Sequence, residues 1–170
     1  MDIRITYLQD HPDAIPDLAL IWHAVLGRTW RPNTSIECFE QTLKANLNNI
    51  CLPITYVAFD GFKVVGGVSL LNNYIIRPDL KPWMGSLVID PEYQNLGIGG
   101  MMLDIVKKKS IELGFEKLYI FVFEHSLIDY YQQRGFKTTG MDIVSGNQVT
   151  VMENVLSPQV DPVLHRPSKQ

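Results

Sequence analysis

Residues 94–103, QNLGIGGMML, place three glycines within four positions directly before a run of helix formers. Glycine is among the poorest helix residues, so a helix that opens on Gly97, Gly99 and Gly100 gives up propensity for some other gain. The segment before the loop, GSLVID (85–90), has strand composition and is stopped by Pro91. The segment after it reads as a helix to about Leu113, with Gly114 as its C-terminal cap. The order strand, glycine loop, helix sets the first N–H groups of that helix at the end of a sheet. Those groups have no partner within the helix, and the dipole there favours negative charge. Glycines remove the side chains that would keep an anion away, and phosphate or pyrophosphate is the natural occupant. A tight turn with nothing bound uses the same residues.

The remaining segments narrow the architecture. IRITYL (3–8) alternates as a strand. Pro12 and Pro16 stand where a helix can begin, and Ile15, Leu18, Ala19, Trp22, Val25 and Leu26 share one face of it up to Gly27. Thr34 to Glu37 reads as a capping box for a second helix, which ends among Asn46, Asn48 and Asn49. ITYVAF (54–59), Asp60-Gly61 and 62–71 form a hairpin, followed by a proline-containing loop over 72–83. KLYIFVF (117–123) is too continuously apolar for a surface strand and belongs in the centre of a sheet. A short helix from Leu127 to Arg134 is closed by Gly135, and 136–144 with 147–155 make a last hairpin. The order is strand, helix, helix, three strands, helix, strand, helix and two strands. It fits an α/β mixed sheet with helices on both faces.

A chain of 170 residues without internal repeat or linker is read as a single domain over 1–156, with a proline-rich tail over 157–170 expected to be mobile. Net charge is −3, which offers no broad basic field to nucleic acid or an anionic membrane. The start is not read as a signal peptide, and no run has the length of a membrane span, so the expected location is cytoplasmic. Cys38 and Cys51 lack metal-ligand spacing and are read as buried thiols in a reducing compartment; no metal site is expected.

Two nucleotide-binding patterns fail on the glycine loop. A Rossmann fingerprint requires a third glycine where Met102 stands, and a P-loop requires Gly-Lys-Ser/Thr where Gly100 is followed by Met101 and Met102. The stretch LVIDPEYQNLGIGGMML instead resembles the strand, acidic-proline turn, loop and helix of the GNAT superfamily of N-acetyltransferases. Gln94, Gly97, Gly99 and Gly100 match that family's Gln/Arg-x-x-Gly-x-Gly/Ala signature. Tyr130-Tyr131-Gln132-Gln133-Arg134-Gly135-Phe136 resembles its aromatic-Tyr-x-x-x-Gly-Phe segment. The resemblance spans roughly residues 3–155 in element order and is sharp at 87–103 and 130–136.

That resemblance implies a single GNAT-like domain whose mostly antiparallel sheet splays between the fourth and fifth strands. It implies acetyl-CoA as cofactor, held by the loop residues Gln94, Asn95, Leu96, Gly97, Ile98, Gly99 and Gly100. Leu87, Val88 and Ile89 would pair with the amide-containing arm of the cofactor. The implied reaction is direct attack by a primary amine of a small molecule or peptide in a ternary complex. Tyr131 occupies the position of the usual general acid, although the tyrosine pair also makes sense as an aromatic wall. Glu124 and His125 are the candidate bases, and each reads equally as an exposed loop residue. The family commonly carries Asn where Glu124 stands, so that cofactor contact is not carried over. Lys107, Lys108 and Lys109 could attract a cofactor phosphate or simply oppose the helix dipole. The stretch that walls the acceptor site in the family includes here Trp22, His23, Trp30, Arg31 and Glu37, with Tyr74 and Trp83 on the later loop. Trp22 falls on the buried helical face and is read as core, and Trp30-Arg31-Pro32 between the helices is the better lining candidate. An aromatic and acidic pocket would suit a cationic amine. A homodimer through the C-terminal strands is the implied assembly. A non-catalytic acyl-CoA-binding module would keep Gly97 and Gly99 without needing Tyr131.

Acetyl-CoA is therefore expected to raise the melting temperature and NAD to leave it unchanged. Saturation at about 100 times Kd corresponds to roughly 2.7 kcal/mol. Differential scanning fluorimetry with both ligands checks this; stabilisation by NAD alone would refute the assignment.

Overall fold

Every residue of β2 (Ile54–Asp60) except the last is buried, so this strand is covered on both faces. Its alternation divides the core. Ile54, Tyr56 and Ala58 join a cluster with Ile98, Met102, Leu103 and Val106 of α3 (Ile98–Glu112). Val57 and Phe59 join a second cluster with Leu18 and Trp22 of α1 (Ile15–Trp22) and Phe39 and Leu43 of α2 (Ile36–Ala45). The sheet thus carries α1 and α2 on one face and α3 on the other. The computed structural model describes residues 1–27, 30–74 and 76–157.

The remaining strands are β1 (Ile3–Tyr7), β3 (Lys63–Leu71), β4 (Trp83–Ile89), β5 (Lys117–Val122), β6 (Phe136–Val144) and β7 (Asn147–Val155), with α4 (Ser126–Gln132) between β5 and β6. They form one seven-stranded sheet in the order β1-β2-β3-β4-β5-β7-β6. All pairings are antiparallel except β4 with β5, which run parallel and share the single pair Trp83–Tyr119. The Tyr119 N–H donates to the Pro82 carbonyl at 3.0 Å on the same side of the fork. Beyond it the two strands part, and the expected mixed, splayed sheet is the architecture found.

Several local readings need correction. The N-cap of α2 is Ser35, whose Oγ accepts from the Cys38 N–H at 3.2 Å; this moves Glu37 out of the capping-box position relative to Thr34. Cys38 and Cys51 are exposed rather than buried, because one lies on the solvent side of α2 and the other in the turns before β2. Two short 3₁₀ turns over residues 8–14 precede α1, which is therefore shorter than the apolar stripe suggests and continues as a wider π turn over His23–Gly27. β4 starts earlier than expected, at Trp83, which pairs with Leu71 and buries its ring completely. The tail read as mobile lies, from residue 158 onward, outside the described residues. No described helix is long and apolar enough to cross a membrane.

Gly66 and Gly67 fix the shape of β4. A Cβ at Gly66 would sit 2.6 Å from the Val88 carbonyl oxygen, and one at Gly67 would sit 2.8 Å from Leu18 Cδ1. The pairs Gly67–Val88 and Ser69–Gly85 leave Ser86 and Leu87 opposite one residue of β3. That is a β-bulge, and Ser86 takes φ +53° within it. Gly66→Ala puts a methyl against backbone that cannot swing aside. Overpacking of this kind costs about 1–3 kcal/mol, offset by the ~0.4–1 kcal/mol that alanine gains by restricting the unfolded chain. The variant is expected to lose about 1–2 kcal/mol and several degrees of Tm. Circular dichroism melts test this, and a wild-type Tm would show that β4 can retreat.

Candidate active site

Where β4 and β5 separate, a cavity of about 520 Å³ opens, within the ~300–1,000 Å³ typical of small-molecule sites. Met84 to Leu87 of β4 and Ile120 to Val122 of β5 line it, together with Phe123 just past β5. Its walls are aromatic. Trp30 stacks on Phe123 with ring centroids 3.2 Å apart, and the Tyr74 ring meets Phe121 edge-on at 4.7 Å. Trp22 meets Phe39 edge-on at 5.9 Å. The π turn after α1 adds Leu26. Such π segments are frequent at functional sites.

The glycine loop lies at the end of β4. Asp90 orders the turn, its Oδ1 accepting from the Glu92 N–H at 3.0 Å, and Lys63 pairs with both Asp90 (3.5 Å) and Glu92 (3.1 Å). Gln94 Nε2 donates back to the Ile89 carbonyl at 3.3 Å. Asn95 and Gly97 both take left-handed backbone, with φ +61° and +84°. Gly97 is the N-cap of α3; it supplies no side-chain cap, and the first turn holds no acid. Gly97 and Gly99 have distinct reasons. Gly97 adopts a conformation that side chains disfavour. At Gly99 a Cβ would stand 3.3 Å from Tyr130 Oη, while at Gly97 and Gly100 it would meet nothing within 4 Å. The helix N-terminus is thus open to an approaching group, with Tyr130 closing one side.

Tyr131 lines the cavity and is 8% exposed. Burial pushes its phenol well up, the neighbouring Tyr130 adds to this, and the Arg134 guanidinium works the other way. Arg134 lies over the Tyr130 ring at 3.5 Å, and its carbonyl accepts from Lys107 Nζ (2.7 Å) and Asn154 Nδ2 (3.0 Å). Lys107 therefore ties α3 to the end of α4. Lys109 packs over Tyr7 and beside Glu112, and Lys108 is exposed.

Of the sequence-derived candidates, the structure brings Leu87, Tyr131, Trp22, Trp30, Arg31 and Tyr74 to one cavity. Glu124 and His125 are exposed on the turn between β5 and α4, and neither lines it. Val88 turns into the α1/α2 core, so β4 offers backbone rather than side chain at that position. His23, Glu37 and Trp83 do not line the cavity. The expected acidic wall is not found: among the described lining residues the one charged side chain is Arg31. Burial raises the Tyr74 phenol, and the adjacent Arg31 guanidinium opposes that rise. Sequence reasoning missed Leu26, Phe39, Asn46, Phe121 and Phe123. For Phe121 and Phe123 the signal was available in the two-residue alternation of KLYIFVF, whose other face (Leu118, Ile120, Val122) belongs to the α3 core.

Residues 21–136 match the acetyltransferase (GNAT) family. An amino-acid acetyltransferase of Mannheimia succiniciproducens is 27% identical over 141 residues, which is 83% of this chain and 28% of that protein. The chain thus spans under a third of the length of this curated relative. An N-acetyltransferase from Staphylococcus aureus Mu50 shares the fold with a TM-score of 0.75 at 13% identity, covering 92% of this chain and 100% of the other. N-acetylglutamate synthase from Neisseria gonorrhoeae, solved with coenzyme A and N-acetyl-glutamate, aligns with a TM-score of 0.69 at 17% identity, over 93% of this chain and 36% of its own. With a family match over more than half its length, and with the glycine loop and tyrosine segment set around one forked sheet, this chain belongs to the GNAT acetyltransferase family.

Proposed function

We propose that the protein is an acetyl-CoA-dependent N-acetyltransferase that acts on a primary amine of a small molecule by direct attack. The observation that carries this reading is the fork itself. An unpaired β4 edge runs from an open, acid-free helix N-terminus to an aromatic cavity that contains Tyr131. The name of the Mannheimia relative, an amino-acid acetyltransferase, supports a small amine as acceptor.

The residues present fit acetyl-CoA. The N–H groups of Ile98, Gly99 and Gly100 open α3 without a side-chain cap, and the space beside Gly97 and Gly100 is open with Tyr130 near Gly99, which suits a pyrophosphate. Gln94, Asn95 and Leu96 shape that approach. Leu87, Val88 and Ile89 leave β4 backbone without a partner from β5, so an extended amide chain can add to this edge as a strand would. When bound, acetyl-CoA supplies the thioester carbonyl. A β4 N–H near the bulge can donate to the carbonyl oxygen as charge develops there. In the transfer a C–N bond forms, the C–S bond breaks, the amine gives up a proton and the thiolate takes one.

With acetyl-CoA bound, Tyr131 would donate its O–H to the sulfur. Its raised phenol remains protonated across the working pH range, which a donor requires. It also holds its proton more tightly than a thiol of pKa ~8.5 would. The contribution is therefore a hydrogen bond to the developing thiolate more than a completed transfer, at the lower end of the ~10²–10⁴-fold range for general acids. The amine's proton leaves through water. Glu124 and His125 lie between the lining residues Phe123 and Leu127 and are receivers at one remove. The implied homodimer has its counterpart in β6, an edge strand with Met141 and Ile143 exposed.

The basic test is release of free thiol from acetyl-CoA with a panel of primary amines. No release with any amine, together with tight acetyl-CoA binding, would point to a binding module. On an accepted amine, Tyr131→Phe should lower kcat by about 10²-fold with acetyl-CoA affinity little changed, while Tyr130→Phe should be mild. Intact turnover in both variants would reduce the pair to packing. The pH profile tests the proton path. Only the neutral amine attacks, so its reactive fraction falls tenfold per unit below its pKa. Log kcat/KM should rise with unit slope up to the free amine's own pKa. Glu124→Gln and His125→Gln should each cost less than about tenfold; a loss of ~10²-fold or more from either would make it the direct base.

A further inference from the structure

We infer that the acceptor carries a carboxylate beside its amine and an apolar, preferably aromatic, side chain, with Arg31 taking the carboxylate; the inference rests on the acetyl-transfer reading. Three observations meet in one cavity. Its one charged side chain among the described residues is the Arg31 guanidinium, next to the Tyr74 ring. No described carboxylate lies within ion-pair distance of Arg31. The indole Nε1 of Trp22, a lining residue 3% exposed, is buried without a hydrogen-bond partner among the described residues.

Each observation selects for acceptor chemistry. A carboxylate at an aromatic cavity loses part of its water and needs a cation; Arg31 is exposed, so a carboxylate held there keeps some solvent while the rest of the molecule enters. The planar arginine fork meets both of its oxygens, which an ammonium would not do. A polycationic amine would bring further positive charge next to Arg31, with no described acid lining the site to compensate. An orphaned indole N–H costs stability unless a ligand oxygen reaches it after a small adjustment. The rings of Trp30, Phe121 and Phe123 pack on one another and line the cavity, which favours an apolar body against that wall. Together these requirements describe an α-amino acid with an apolar side chain, of which phenylalanine is the plainest example.

The experiment compares L-phenylalanine, phenethylamine (the same body without the carboxylate), L-glutamate and spermidine. Thiol release measures transfer, and calorimetric titration into the coenzyme-A-bound protein measures binding without turnover. Phenylalanine is expected to exceed phenethylamine in kcat/KM by at least tenfold, with glutamate and spermidine weaker still. In Arg31→Gln the phenylalanine-to-phenethylamine ratio should fall about tenfold, through KM more than kcat, with Arg31→Lys recovering part of it. Unchanged acetyl-CoA affinity confirms that the variants are folded. Preference for phenethylamine or spermidine, with transfer intact, overturns the carboxylate assignment and leaves the transfer reading standing. Preference for glutamate overturns the apolar half. Binding of phenylalanine without thiol release sinks the transfer reading but keeps Arg31 as an anion anchor. Absence of both binding and transfer of phenylalanine overturns the inference.

Discussion

One backbone contact decides what this sheet can do. β4 and β5 meet at Trp83 and Tyr119 and nowhere beyond. On its other side β4 is held to β3 so closely that Gly66 has room for no side chain against Val88. β4 is therefore committed to β3, bulged at Ser86, and unable to follow β5. Parallel strands that part after one pair leave a row of unsatisfied N–H and C=O groups at the centre of a domain. Such an edge is a liability unless an extended ligand completes it. The cavity and the open β4 edge both follow from this one failure to pair.

The two ends of the fork differ in their electrostatics. At the α3 end the positive pole of the helix is left uncapped, and the nearby acids are engaged elsewhere: Asp90 with the Glu92 N–H and Lys63, Glu92 with Lys63. At the other end the aromatic wall carries Arg31. Tyr131 stands between them on α4, anchored because the Arg134 carbonyl is bonded by both α3 and β7. Of the lysine run of α3, Lys107 is directed to that carbonyl, Lys109 lies beside Glu112 and Lys108 is exposed.

Patterns of short range were legible in the sequence. The hairpins at Gly61 and Gly146, the glycine-opened helix and the central apolar strand follow from turn chemistry and periodicity within a few residues. The candidate site was half legible. Gly97 and Tyr131 stand in recognisable spacings; the alternation of KLYIFVF sets Phe121 and Phe123 on one face of the strand but does not say what that face meets. Its exposure to a cavity depends on β4 diverging, which no residue of β5 encodes. Glu37 was placed on the acceptor wall by element order, yet α2 turns it to solvent once Phe39 and Leu43 take the core. The cysteines illustrate the same limit: composition favours burial for a free thiol, whereas helix phase decides it for Cys38.

The composition of the cavity bears on the step an amine finds hardest. An ammonium moved from water into an aromatic enclosure without a counter-carboxylate loses hydration that contact with the ring faces only partly restores. Desolvation lowers the pKa of a cationic group, and the positive charge of Arg31 acts in the same direction. An amine that leaves its carboxylate on Arg31 while its nitrogen moves deeper is thereby biased towards the neutral, nucleophilic form. A carboxylate placed in the wall as a direct base would work against this at first, because it would stabilise the ammonium it is meant to deprotonate. A cavity with aromatic walls and one cation can activate an amine by excluding its charge. In the proposed transfer, Glu124 and His125, outside the lining, would receive the proton without holding it near the nitrogen.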